Sequence, residues 1–158
     1  MSRTGLELWL FLSGVAVFTL TAAFLDLRYR RIPNALSVAG LVVGLVFRIA
    51  TEGLPGLGDA AGGFAIGFGS LLLLWAMGGG GGGDVKLMGA LSVWLGTRQA
   101  VHVLILSSVL AFVFTAIRAA ISRPMFEPST PRPRRKVAVA FAVPLAIATW
   151  TMIGIKLM

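Results

Sequence analysis

Apolar residues in this chain gather into six runs, separated by short polar or glycine-rich stretches. The runs cover residues 6–25, 35–50, 60–77, 85–95, 100–121 and 137–157. A bilayer core about 30 Å thick needs about 20 apolar residues per crossing helix. The pattern therefore predicts an all-α, polytopic membrane protein with about six transmembrane helices. The first run carries only Glu7, near one end, and the second ends near Arg48. The third is rich in Gly and Ala, as close helix packing in a bilayer requires. The fourth is short. Its residues rise only about 17 Å as a helix, which suits a half-length or re-entrant segment. Pro144 lies inside the sixth.

Composition supports this class. Of 158 residues, 57% are hydrophobic and only 13% charged, against about 25% charged in soluble domains. Mean hydropathy is +0.90. The length fits a single membrane-embedded domain over residues 1–158. Cysteine is absent and His102 is the single histidine, which excludes thiolate chemistry and multi-histidine metal sites. No metal or cofactor is expected.

The net charge of +8 has two readings, nucleic acid or an anionic membrane face. No basic stretch is interleaved with aromatics, so nucleic acid is not expected. Arg28, Arg30 and Arg31 follow run one, Lys86 opens run four, and Arg118, Arg123, Arg132, Arg134, Arg135 and Lys136 lie around the connection of runs five and six. These are ten of the fourteen basic residues. The positive-inside rule puts these connections in the cytoplasm and both termini outside. Glu52 and Asp59 are then expected in an outer loop. The proline-rich stretch 124–133 reads as a loop, and the basic cluster 132–136 as a contact with anionic lipid. Trp9, Trp75, Trp94 and Trp150 suit interfacial anchoring, and His102 a packed or interfacial place.

Two of the six acidic residues stand apart. Asp26 ends the first run and Asp84 begins the fourth, at the same expected membrane face. Two close carboxyl groups do not both ionise readily, so one keeps a proton while the other is charged. The charged one can take a proton from water, and the neutral one can polarise a peptide carbonyl. The plainer alternatives are an Asp26–Arg30 pair at helical spacing and Asp84 as a helix N-cap. Six consecutive glycines, 78–83, directly precede Asp84. Such a run lets an extended peptide approach the backbone; the alternative is a flexible linker.

The stretches DLRYRRIPN (26–34) and GGGDVKLMGALSVWLG (81–96) together resemble the prepilin peptidases of type IV pilus systems, membrane-embedded aspartic proteases of the GxGD type. The resemblance implies that Asp26 and Asp84 are the catalytic pair and that Gly81, Gly83, Lys86, Arg30, Pro33 and Asn34 shape the site or hold substrate. It implies an endopeptidase that cuts the leader of prepilin or pseudopilin precursors at the cytoplasmic face of a bacterial or archaeal inner membrane. The chain begins almost at its first helix and lacks the paired cysteines of full-length members. It looks like the short form of Flp-type, tight-adherence systems, for which methyl transfer is not expected. A P-Y-G-x-A-I element of the last helix is replaced here by residues 138–143, AVAFAV. The competing classes are a catalytically inactive scaffold of a pilus or secretion system and a small ion transporter. A transporter would show inverted repeats and midplane polar residues, and neither is visible.

Overall fold

The computed structural model describes residues 5–29, 31–78, 81–121 and 141–158, the side chains of 118 and 119 excepted. Among the described residues five helical elements follow one another: α1 (Gly5–Tyr29), α2 (Asn34–Ala76), α3 (Gly82–Leu95), α4 (Thr97–Ile121) and α5 (Ala142–Leu157). Of these, α1, α2 and residues 97–117 of α4 are long and apolar enough to cross a membrane.

The second and third apolar runs belong to one element, α2. As a straight helix its 43 residues would be about 65 Å long, twice a bilayer core. It is interrupted at Gly53, with φ 65° and ψ −147°, a conformation open essentially to glycine. Pro55 follows, on the far side of the break. Glu52 and Asp59, expected in an outer loop, instead lie on the helical backbone flanking this break.

Helix α3 packs between the two arms of α2. Lys86 meets Asn34, and Trp94 donates its indole N–H to the Gly40 carbonyl at 2.8 Å. The first arm thus runs parallel to α3. Gly82 lies near Trp75, Gly89 near Phe64 and Phe68, and Gly63 near Gly96, so the second arm runs antiparallel. Contact is closest at Gly67, where a Cβ would fall 1.9 Å from Ser92 Oγ, so a larger residue there would force α3 or Ser92 to shift.

This arrangement accounts for the short fourth run. Leu87, Met88, Ala90 and Leu91 are essentially inaccessible, and residues 87–96 are buried without a break. A helix apolar on every side is a core helix, here wrapped by longer ones. Trp94 is accordingly a core residue, stacked on Phe47 with ring centroids 5.6 Å apart, and not an interfacial anchor. Trp9 and Trp75 are exposed, and Trp150 donates to Thr19 Oγ1 at 3.3 Å, linking α5 to α1. Helix α5 begins at Ala142, so Pro144 falls in its first turn, where a missing N–H breaks no helical hydrogen bond. The loop 124–133, the cluster 132–136 and residues 137–140 of the sixth run lie outside the described residues.

One end of the bundle is closed by a polar clamp around Arg48, which is 3% exposed. Its guanidinium holds Glu52 at 2.5 Å and also Asp59, across the break at Gly53. Asp59 accepts the N–H of Thr97 at 2.9 Å, and its carbonyl accepts the Thr97 hydroxyl at 3.1 Å. One carboxylate thus joins the arms of α2 and caps the first turn of α4, whose N–H groups have no partner within the helix.

Candidate active site

The opposite end of the bundle collects the end of α1, the start of α2, the start of α3 and the start of α5. Asp26 lies in the last turn of α1 and is buried. Its Oδ2 accepts the backbone N–H of Ala142, the first residue of α5, at 3.1 Å.

Asp84 sits in the first turn of α3, third after the N-cap residue Gly81. It is not itself the N-cap: its Oδ2 reaches back to accept the Gly81 N–H at 3.1 Å. A Cβ at Gly81 would lie 3.1 Å from that same oxygen, so the glycine leaves the carboxylate its place. Asp84 is outside the three long apolar helices. Burial pushes its carboxyl up to about 6; the Gly81 N–H opposes the rise and the charge of Asp26 adds to it. Asp26, 58 positions earlier in the sequence, thus lies close enough for its charge to act on Asp84.

The segment joining α1 to α2 lies against the first turn of α3. Ile32 faces Gly83, where a Cβ would meet its side chain at ordinary van der Waals distance. Pro33, with φ −62° and ψ 139°, ends the extended segment at the N-cap position of α2. Lys86 Nζ donates to Asn34 Oδ1 at 2.8 Å. Gly81, Gly83, Lys86, Pro33 and Asn34 are therefore gathered around the first turn of α3 that carries Asp84. Arg30 lies outside the described residues, as do Gly79 and Gly80 of the glycine run.

Residues 13–116 match the type IV leader peptidase family. The chain belongs to this family. It is 36% identical over 101 residues to a prepilin leader peptidase/N-methyltransferase of Aeromonas salmonicida, a match covering 58% of this chain and 33% of that relative. It is 32% identical over 114 residues to a prepilin leader peptidase/N-methyltransferase of Neisseria gonorrhoeae, covering 66% of this chain and 40% of that one. The chain thus matches between a third and two fifths of the length of these relatives. No solved structure matches. The family match takes in Asp26 and Asp84 and ends within α4, so that α5 lies beyond it.

Two features of this family member were missed in the sequence. The Ala142 N–H is a backbone group, and any residue but proline would supply it. The clamp at the other end needs the return at Gly53 to bring Asp59 onto Arg48; only the Arg48–Glu52 spacing hinted at it. A cavity of about 850 Å³ opens beside that clamp, lined among others by Glu7, Arg98, His102 and Lys156. Neither aspartate of the opposite end lines it. Among the described residues, no group of three or more His, Asp and Glu side chains is placed to hold a metal ion.

Proposed function

We propose that this chain is an aspartic endopeptidase that removes the leader of type IV prepilins and pseudopilins, with Flp-type precursors as its substrates. The reading rests on the coupling of Asp26 and Asp84 at one end of a helical bundle in a member of the leader peptidase family. The relatives named above carry that activity in their names.

In this reading the pair holds one proton. Asp84, whose carboxyl burial pushes up to about 6, is suited to keep it. Asp26, held by the Ala142 N–H, faces the water. The ionised carboxylate takes a proton from water as the oxygen attacks the scissile carbonyl carbon. The protonated partner gives its proton to the carbonyl oxygen. Collapse of the tetrahedral intermediate breaks the C–N bond, and a proton passes to the leaving amine. The glycine run ahead of Asp84 offers backbone against which an extended peptide can lie. The site faces the cytoplasm of a bacterial or archaeal inner membrane, at the end where the leader of a prepilin would lie, and lipid covers the exposed apolar faces of α1, α2 and α4.

The test is co-expression with an Flp-type prepilin, read by mass spectrometry of the pilin. Loss of the leader that depends on this chain is the expected result. An unshortened precursor beside a normally inserted chain would overturn the reading.

A further inference from the structure

We propose that the backbone N–H of Ala142 is a positioning group for Asp26, making the first turn of α5 part of the catalytic machinery. The inference rests on the aspartic peptidase reading above. It goes beyond the family match, which ends at residue 116, whereas α5 starts at Ala142.

The first N–H groups of a helix have no partner within it. At Ala142 this donor is buried, since the residue is 2% exposed, and it points at Asp26 Oδ2, 3.1 Å away. The helix behind it is firmly seated. Leu145 N–H bonds back to the Phe141 carbonyl at 3.1 Å, and Leu145 and Ala148 are fully buried. Phe141 is buried beside them. A rigid helix end thus fixes one oxygen of Asp26 and with it the rotamer of the carboxylate. The side chain at 142 takes no part in the bond. Side chains around the start of α5 can therefore vary while the contact persists, provided that residue 142 keeps its N–H.

An amide-to-ester exchange isolates the donor. Lactic acid, introduced at position 142 by a suppressor tRNA, replaces N–H by oxygen and keeps the methyl side chain. Proline would also delete the donor, but Phe141 (φ −65°, ψ −26°) occupies the helical region that a following proline disfavours. An ester at position 148 is the control. It removes a hydrogen bond within α5 and leaves the Asp26 contact alone. Both proteins and the unmodified chain are assayed in nanodiscs on an Flp-type prepilin, alongside thermal unfolding.

The ester at 142 should lower kcat about tenfold or more, as small misplacements of a catalytic group do. KM should stay within about twofold and the melting temperature should hold. The ester at 148 should lower the melting temperature and keep kcat. Unchanged kcat with the ester at 142, or an equal loss with both esters, would overturn the proposal. A second readout needs no activity: the carboxyl carbon resonance of Asp26 in a 13C-labelled chain, assigned by its disappearance in Asp26→Asn. It should move with the ester at 142 and stay with the ester at 148. If the resonance moves but the unmodified chain leaves prepilin intact, the contact stands and the peptidase reading fails. If it does not move, the contact itself is refuted.

Discussion

Lys86 and Asn34 share a 2.8 Å hydrogen bond across 52 positions of sequence, and that bond ties the turn bearing Asp84 to the segment that leaves α1 after Asp26. Ile32 of that segment faces Gly83 in the same turn. In the proposed reading Lys86 acts through Asn34. Lys86→Met and Asn34→Ala should each lower kcat about tenfold, with KM little changed. The double variant should match either single one, because two partners in one contact are not additive. Asn34→Asp, which still accepts from Lys86, should keep most of the activity. Additive losses in a steady-state assay of the three variants would show that the two residues act separately.

The raised carboxyl of Asp84 makes a claim about stability. Its value of about 6 in the folded chain lies above the 3.8 of an ordinary aspartate, so folding favours its neutral form. The sign follows by linkage: this contribution is fully present below about pH 4 and is lost as pH rises through 6. Asp84→Asn removes the ionisable group. The variant should therefore melt roughly 2–4 °C above the parent at pH 7.5, the size of a change of about 1 kcal/mol in a domain of this length. The gap should close below pH 4. Equal melting temperatures at both pH values would place Asp84 in an ordinary solvated setting.

At the other end, Arg48 is buried and holds both Glu52 and Asp59. Arg48→Ala removes the guanidinium that both carboxylates hold, and Asp59→Ala also uncaps α4. Each should cost about 1–3 kcal/mol, the upper end being limited because the carboxylates are partly exposed. The double variant should cost clearly less than the two losses added together. Prepilin cleavage should persist in variants that still insert, since the clamp lies at the end away from the aspartates. Thermal unfolding in detergent with a cleavage assay tests both halves.

The return of the chain at Gly53 puts Leu54 and Met77, each more than four-fifths exposed, at opposite ends of the second arm of α2. The chain has no cysteine, so Leu54→Cys and Met77→Cys each carry a single thiol. A membrane-impermeant maleimide should reach the first only from outside the cell and the second only after the membrane is opened. Labelling of both from one side would contradict the proposed crossing.

The sequence and the structure part company where geometry, and not residue type, decides. Asp26 and Asp84 were legible because an acid at the end of an apolar run is conspicuous in an acid-poor chain. Lys86 and Asn34 were legible through motif resemblance, though their mutual bond was not. The segment EGLPG around Gly53 has the composition of a loop, yet a single residue at positive φ suffices to turn the chain, and helix continues on both sides. The burial of Trp94 follows from α3 being enclosed by neighbours, which shortness alone does not reveal. Asp84 read as an N-cap candidate because N-caps and third positions favour the same acids; the choice between them depends on where Gly81 starts the helix.

The central claim is that Asp26 and Asp84 act as one catalytic unit. Its most direct test is prepilin cleavage by Asp26→Asn, Asp84→Asn and the double variant, each normally inserted. The account predicts that each single substitution abolishes cleavage and that the double variant is no worse, since groups working as a unit are far from additive. Cleavage by Asp84→Asn at near the parent rate would contradict it.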